Sequence, residues 1–298
     1  MGRLEPRVVC VGGGHGLWAA LRAARTLTPN VAAVVTVADD GGSSGILRGQ
    51  LGIPAPGDLR MAIAALAGDP ERERLLQYRF KEGELAGHPL GNLLIAALTD
   101  LRGDFARAVE EVAGLASVAG RVLPSTTEPV RLCAAMGGAE VRGQVAIARG
   151  DGPVERLWLE PAAAAYPGAA EAIADADLLV LGPGSLFTSI VAAILPLGIT
   201  EAASRAGRVA FVLNMAEQDG ETRGLDAAGH VEALRAHAPG LRIDGIIVHD
   251  GSLEGIVHPI GVAPGASIGA PPIFADVRGR GWTHDPEKLA AVFKGLLA

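Results

Sequence analysis

The stretch "RVVCVGGGHGLWAALRAAR" (residues 7–25) decides the fold. Residues 7–11 form a short β-branched run, which is typical of a strand. A loop of almost pure glycine follows, and residues 17–25 carry apolar side chains at helical spacing. A second apolar run at 31–38 predicts the next strand. Strand, glycine loop, helix and strand in this order are the opening of a Rossmann-type unit.

The rest of the chain continues the alternation of strands and helices. Further strands are predicted in "ADLLVLGPGS", "RVAFVLN", "RIDGIIVHD" and "PPIFADV". We therefore predict an α/β fold: a Rossmann-like, doubly wound, mostly parallel sheet in three layers. The pattern becomes β-rich between 121 and 160, with Gly137-Gly138 as a hairpin turn. We expect this region to be a small β-rich excursion within one domain that spans residues 1–298.

Composition narrows the class of protein. The 298 residues carry a formal net charge of −7, and no basic block is present to neutralise phosphates, so we expect no nucleic-acid partner. No apolar run reaches the ~18 residues of a membrane span and no signal segment is evident, so a cytoplasmic protein without membrane insertion is expected. The two cysteines have no zinc-site spacing. A homodimer is an oligomeric state that the sequence leaves open.

The glycine loop after the first strand is a candidate phosphate site. Glycines let backbone N–H groups approach a ligand, and a helix N-terminus favours a phosphate. Leu17 stands where a dinucleotide fingerprint has its last glycine, and the lysine of a Walker A loop is missing. A tight turn without a ligand is the structural alternative. The candidate residues are Gly12, Gly13, Gly14, His15 and Gly16.

A second candidate segment is "VTVADDGGSSGILR", residues 35–48. Asp39 and Asp40 follow the second strand, at the edge where open α/β sheets bind ligands. One carboxylate could hold ribose hydroxyls, or the pair could hold Mg²⁺ on a diphosphate. The bare loop that follows offers amides and hydroxyls for an anion, with a cation close behind. Its candidate residues are Gly41, Gly42, Ser43, Ser44 and Arg48.

Two further motifs add charged and polar side chains. "PAPGDLR" supplies Asp58 and Arg60, and Asp58 also fits the N-cap of the helix that follows. "GHPLGN" places His88 and Asn92 in a turn before a helix. His88 could act as an acid or base or donate to a phosphate, and a structural role in the turn is the alternative.

The motif "LGPGSLFTS" repeats the order strand, glycine loop and helix. We expect this loop to face the first glycine loop across the crevice and to offer a second set of N–H donors to a diphosphate. Asn214, at the end of "FVLN", lies at the same predicted edge and could read a base or a sugar. The candidate residues of the second loop are Gly182, Gly184 and Ser185.

These segments, in this order and spacing, resemble the YvcK family of gluconeogenesis factors. "QYRFKEGE", "RGRVLPSTTEPVRLC", "VLNMAEQDGETRG" and "HDPEKL" extend the resemblance over nearly the whole chain. The family is grouped with CofD, the 2-phospho-L-lactate transferase of deazaflavin coenzyme synthesis. The resemblance implies a cytoplasmic protein that binds UDP-sugars and supports cell shape and wall synthesis on gluconeogenic carbon. From the transferase branch it implies Mg²⁺ held by Asp39 or Asp40 together with Asp58.

The chain departs from the family pattern at its ends. The glycine loop usually reads GGGTGL, and here His15 replaces the threonine. Thr283 stands where relatives carry arginine, and the stretch 249–271 lacks the family's tyrosine. Three functions remain open at this stage. They are a regulatory UDP-sugar-binding protein, a CofD-like Mg²⁺-dependent phospholactate-type transferase, and an NAD(P)-binding protein.

Overall fold

A computed structural model of the chain describes residues 5–263 and 265–298, and the remaining residues of the predicted domain, 1–4 and 264, lie outside the described part. The strands form one large and one small sheet. They are β1 (Val8–Gly12), β2 (Val31–Val35), β3 (Arg121–Pro124), β4 (Arg131–Met136), β5 (Ala139–Arg142), β6 (Val154–Glu160), β7 (Leu178–Leu181), β8 (Arg208–Val212), β9 (Gly245–His249) and β10 (Pro272–Ala275).

The helices fill the connections between the strands. A π-helix, Leu186–Val191, follows β7. The α-helices are α1 (Gly14–Arg25), α2 (Gly42–Leu51), α3 (Gly57–Leu66), α4 (Pro70–Gln77), α5 (Leu90–Arg102), α6 (Phe105–Leu115), α7 (Gln144–Ala148), α8 (Pro167–Ala174), α9 (Ala192–Ile194), α10 (Ile199–Ala203), α11 (Ala227–His237) and α12 (Pro286–Leu296).

The large sheet has seven parallel strands in the order β10-β9-β8-β7-β1-β2-β3. Val8 pairs with Val31 on one side and with Leu178 on the other. Every residue of β1, β2 and β7 is buried, because helices cover both faces of the sheet. The Rossmann-like α/β fold is therefore confirmed. The strand order reverses between β1 and β7, and such a switch point opens a crevice at the carboxyl edge.

The small sheet is antiparallel, in the order β5-β4-β6. Gly137 and Gly138 join β4 to β5 with φ values of +57° and +78°, the positive angles that a tight hairpin turn requires. The predicted hairpin is confirmed. The predicted excursion of 121–160 began too early, because β3 pairs in parallel with β2 as the edge of the large sheet. Pairing with β2 gives residues 121–124 backbone partners that the small sheet does not offer.

Three local interpretations are corrected by the structure. The second strand ends at Val35, and "GGSSG" is the first turn of α2 with Gly41 as its N-cap. Helix α3 begins at Gly57 with Pro56 as its N-cap, so Asp58 lies inside the first turn and does not cap the helix. Among the helices of the described residues, none combines the length and the apolar character needed to cross a membrane.

Candidate functional site

The switch point holds a cleft of about 640 Å³. Loops that follow β1, β2, β7 and β8 line it, together with residues 282–284 before α12. The predicted convergence at the carboxyl edge is found for Gly13–Gly16, Asp39 and Pro183–Ser185. The loops meet there because parallel strands all end at the same edge of the sheet.

The first glycine loop opens helix α1 at this cleft. Gly13 is the N-cap and has no side chain to cap the helix, while the Asp58 carboxylate accepts the amide of Gly14. A Cβ on Gly13 would overlap the Asp58 carboxylate, and one on Gly16 would overlap the carbonyl of Pro183. Glycine is therefore required here for close approach to neighbouring loops. The result is a helix N-terminus without a capping side chain at the N-cap position, and the N-terminus of a helix attracts negative charge.

Two carboxylates lie beside this helix end. Asp39 accepts the N–H of Gly41 at 2.9 Å through Oδ1, and its Oδ2 lies 3.1 Å from the position a Cβ would take on Gly57. Burial, reinforced by the charge of Asp39, raises the pKa of Asp58 to about 7, and the Gly14 amide offsets this only in part. Asp58 therefore changes charge near neutral pH, and a cation at the pair would favour its ionised form.

Asp40, predicted with this pair, is turned away from the cleft. Its Oδ1 accepts the N–H of Val145 at 2.9 Å, and its Oδ2 lies where a Cβ on Gly143 would sit. Gly143 adopts φ +105°, which glycine alone reaches readily. Asp40 thus ties the start of α7 to the loop after β2. This contact brings the neighbouring Gln144 to the cleft.

Only two of the three predicted acids could bind Mg²⁺, and they would supply only part of its coordination shell. Within 5–263 and 265–298, no group of three or more His, Cys, Asp or Glu side chains has the arrangement of a metal site. Mg²⁺ commonly takes one or two carboxylates and completes its shell with phosphate oxygens and water. Asp39 and Asp58 fit that donor set because both carboxylates line the cleft, where burial and then the charge of Asp39 raise the pKa of Asp58. Asp40 does not belong to the set.

The second glycine loop does not offer the free amides that its sequence suggests. The buried carboxylate of Glu221 accepts the N–H groups of Phe187 at 3.2 Å and Thr188 at 3.1 Å, and the Thr188 hydroxyl at 2.6 Å. Gln218 Oε1 accepts the N–H of Leu186 at 3.3 Å. Burial raises the pKa of Glu221, and the bonds from Thr188 and Phe187 act against the rise. The N-terminus of the π-helix is therefore occupied by protein groups.

Asn214 belongs to the same set of hydrogen bonds, which hold the second glycine loop in place. Its Nδ2 donates to the Gly184 carbonyl at 2.8 Å, and its Oδ1 lies 3.4 Å from the Gly184 amide. Ser185 Oγ accepts Gln218 Nε2 at 2.9 Å. Gly184, Ser185 and Asn214 do line the cleft. Their polar groups make hydrogen bonds that hold the loop. The side-chain amide of Asn214 is therefore already engaged and is not free to donate the hydrogen bond to a base that the sequence predicted.

A buried polar network lies beside the cleft and does not line it. Ser43 Oγ bonds to His88 Nδ1 at 2.8 Å and accepts Asn92 Nδ2 at 3.2 Å. Arg60 Nε donates to Asn92 Oδ1 at 3.1 Å. Burial and the charge of Arg79 lower the pKa of Arg60 to about 10, so its guanidinium stays positive at neutral pH. This network joins α2, α3 and α5.

The remaining predicted residues also lie off the cleft surface. Arg48 lies near the charges of Asp40 and Arg131, and burial lowers its pKa. Ser44 is buried, with its Oγ where a Cβ on Gly57 would sit. The predicted site residues that do not line the cleft are Gly12, Asp40, Gly41, Gly42, Ser43, Ser44, Arg48, Arg60, His88, Asn92 and Gly182.

Sequence reasoning missed several lining residues. Trp18 lies on α1 within the first motif, where its helical spacing reads as core. Gln144 is the first residue of α7, between β5 and β6, and Trp282 and His284 come from a segment far along the chain. His284 begins the motif "HDPEKL" and Trp282 lies two residues before it, but no spacing rule connects them with residues 13–16. Only the docking of the segment before α12 brings them together.

The fold and the cleft define a Rossmann-like α/β protein with a candidate ligand site at the switch point of its sheet. The chain belongs to the CofD family, because residues 8–258 match the family described as "2-phospho-L-lactate transferase CofD". A Mycobacterium tuberculosis protein named "Putative gluconeogenesis factor" is 45% identical over 98% of this chain and 90% of its own length. A "Gluconeogenesis factor" of Halalkalibacterium halodurans is 41% identical over 82% of this chain and 78% of its own length.

A solved structure agrees with these sequence relatives. The crystal structure of a member of the UPF0052 family from Bacillus halodurans superposes with a TM-score of 0.93 at 36% identity and covers 100% of both chains. The resemblance to YvcK and CofD proteins inferred from the motifs is thereby confirmed.

Proposed function

We propose that the cleft binds a nucleoside diphosphate sugar of the UDP-sugar class, with Mg²⁺ between its diphosphate and the carboxylates of Asp39 and Asp58. The observation that carries this proposal is the glycine-rich N-terminus of α1, whose N-cap Gly13 has no side chain, beside two carboxylates that line the cleft at the switch point of the sheet. The helix end favours the phosphates. The cleft volume of about 640 Å³ falls in the range of small-molecule sites.

Charge supports the presence of the metal ion. No arginine or lysine is among the described residues that line the cleft, whereas Asp39 and Asp58 are. A diphosphate placed beside two carboxylates meets repulsion that a helix end, equivalent to about half a positive charge, does not cancel. Mg²⁺ held by Asp39 and Asp58 would supply positive charge that offsets this repulsion, and Mg²⁺ sites commonly combine one or two carboxylates with substrate phosphates.

We infer that the protein acts as a cytoplasmic regulator that senses this ligand, in the role that its relatives' name describes. Such a role would serve cell shape and wall synthesis on gluconeogenic carbon. The hydroxyls of Ser185 and Thr188 bond to Gln218 and Glu221, so neither is paired with a histidine as an activated nucleophile would be. A binding function needs no such pair.

The second candidate is a Mg²⁺-dependent transferase of the phospholactate type. The match to the family described as a phospholactate transferase favours it. In that reaction Asp39 and Asp58 would hold the metal ion that neutralises charge on the transferred group. Turnover distinguishes this candidate from the regulator. Transfer of a phospholactate-type group from a nucleoside-diphosphate-linked donor to an alcohol acceptor, with release of the nucleoside monophosphate, dependent on Mg²⁺ and lost in Asp39→Asn, would favour the transferase.

Calorimetric titration tests the proposed ligand. UDP-N-acetylglucosamine, UDP-glucose, NAD and NADP are titrated side by side, with Mg²⁺ and with a chelator. We expect a UDP-sugar to bind at least tenfold more tightly than NAD, a difference of about 1.4 kcal/mol, and to lose affinity without Mg²⁺. Asp39→Asn should lose the Mg²⁺ effect, while Asp40→Asn should keep it because Asp40 faces α7. Tenfold tighter binding of NAD would overturn the proposal.

A further inference from the structure

The three tryptophans of the chain differ in what covers them. A guanidinium lies over Trp18, with the Arg22 carbon 5.0 Å from the ring centroid, and another lies over Trp158, with Arg156 at 4.9 Å. Trp282 is 64% exposed, and in the described part of the chain no aromatic ring or guanidinium stacks on its indole. Trp282 also lines the cleft. A large flat apolar surface is therefore left open at the ligand site.

Hydrogen bonds among residues 278–283 hold the backbone around this exposed ring in place. Gly279 N–H donates to the Thr283 carbonyl at 2.8 Å, and Thr283 Oγ1 donates to the Arg280 carbonyl at 2.8 Å. Arg278 Nε donates to the Gly281 carbonyl at 2.7 Å. Gly281 has φ +64°, which the tight turn requires. A ring mounted on such a turn loses little backbone freedom when a ligand contacts it.

The sheet sets how far the anchor of this segment lies from the expected phosphate site. His284 is buried and its Nε2 lies 3.2 Å from the carbonyl of Leu213, directly after β8. β8 is two strands from β1, whose loop opens α1. Neighbouring strands are about 4.8 Å apart, so this anchor lies about 10 Å across the sheet from the expected phosphate site. That separation leaves room for a ribose between the phosphates and the ring.

Neighbouring polar side chains on this side of the cleft are already engaged. Asn214 and Gln218 hold the loop at 184–185, so their amide groups are committed to protein partners. Thr283 Oγ1 is committed to Arg280. The face of Trp282 is an open contact surface on this side. Aromatic side chains bind nucleobases through stacking, which any base offers because each has a flat π-face.

We propose that Trp282 is the stacking platform for the nucleobase of the ligand and selects nucleoside diphosphate sugars over base-free sugar phosphates. This inference rests on the proposed function, because it assumes that a nucleotide sugar occupies the cleft. Trp282 is a residue that determines specificity, and the phosphate and metal contacts remain with α1, Asp39 and Asp58. Trp18, held by Arg22 on α1, lines the same cleft nearer the glycine loop.

Calorimetry with dissected ligands tests this role. Wild-type protein, Trp282→Ala and Trp282→Phe are each titrated with UDP-N-acetylglucosamine and with N-acetylglucosamine 1-phosphate in the presence of Mg²⁺. Stacking contributes about 1–3 kcal/mol per base, so Trp282→Ala should bind the UDP-sugar about 5- to 150-fold more weakly. Trp282→Phe should retain most of the affinity. Neither variant should bind the base-free sugar phosphate less well than the wild type.

Fluorescence supplies an independent readout with a matched control. In a protein that carries Trp18→Phe and Trp158→Phe, the emission comes from Trp282 alone, and UDP-N-acetylglucosamine should quench it. A protein that keeps only Trp158, which lies on β6 in the small sheet, should show no quenching. Equal affinity of wild type and Trp282→Ala for the UDP-sugar, or equal losses for both ligands, would overturn the stacking role. Failure of the wild type to bind any UDP-sugar would instead overturn the proposed function, and this inference with it.

Discussion

Replacing Asp58 by asparagine should change how the stability of the ligand-free protein depends on pH. Burial and the charge of Asp39 raise the pKa of this carboxyl from 3.8 to about 7. An acid with a raised pKa binds its proton more tightly in the folded state than in the unfolded state. Folding is therefore favoured below pH 3.8, and that advantage is lost as the pH rises through 7.

The size of the effect follows from the shift. A change of about three pKa units corresponds to about 4 kcal/mol over the whole range, at about 1.36 kcal/mol per unit. Between pH 5 and pH 8 the ionisation of Asp58 should lower the free energy of unfolding by about 2.5 kcal/mol. Asp58→Asn removes this contribution. The variant should therefore gain stability relative to the wild type as the pH increases, by about that amount.

Urea unfolding at half-unit steps from pH 5 to pH 8.5 measures the difference between the two profiles. Asp100→Asn is the control, since Asp100 is exposed on α5 and should leave the profile parallel to that of the wild type. Mg²⁺ should reduce the loss in the wild type, because the cation favours the ionised carboxylate, and should have less effect on Asp58→Asn. Parallel profiles for Asp58→Asn and wild type would show that Asp58 titrates near its ordinary pKa, and the electrostatic description of the cleft would fail.

Three further changes test the framework of the site. Gly16→Ala should lower the free energy of unfolding in urea by roughly 1–3 kcal/mol, because its Cβ would overlap the Pro183 carbonyl. Gly49→Ala on α2, which has open space around it, should raise that free energy by up to about 1 kcal/mol. Equal effects of the two substitutions would contradict the close approach of Gly16 to Pro183. Glu221→Gln should lower the free energy of unfolding by about 1–3 kcal/mol, because a glutamine side chain accepts fewer hydrogen bonds from the three donors of the π-helix. An unchanged free energy of unfolding would refute the capping role of Glu221. Burial lowers the pKa of His284 from 6.5 to about 4. The free energy of unfolding should therefore fall by at most about 3 kcal/mol as the pH drops from 6.5 to 4. His284→Gln should make this decline shallower, and an equally steep decline in the variant would assign it to other groups.

The sequence by itself determined the architecture of the large sheet. Residues 7–25 could be interpreted locally, because the period of apolar side chains separates strand from helix and glycines mark the loop between them. Since successive parallel strands end at one edge, the motifs after β1, β2 and β7 could be expected to meet there. The hairpin at Gly137–Gly138 was likewise local, because two positive φ angles identify the turn residues.

Only the tertiary structure decided which groups at that edge are free to bind a ligand. Asp39 and Asp40 are adjacent in sequence, yet Asp39 faces the cleft and Asp40 is taken by the Val145 amide, 105 residues away. The two glycine loops look equivalent in sequence, yet Glu221 occupies the amides of the second. Trp282 reaches the cleft through an anchor at Leu213. A motif records which donors and acceptors a segment carries, and long-range contacts determine which of them the protein has already satisfied.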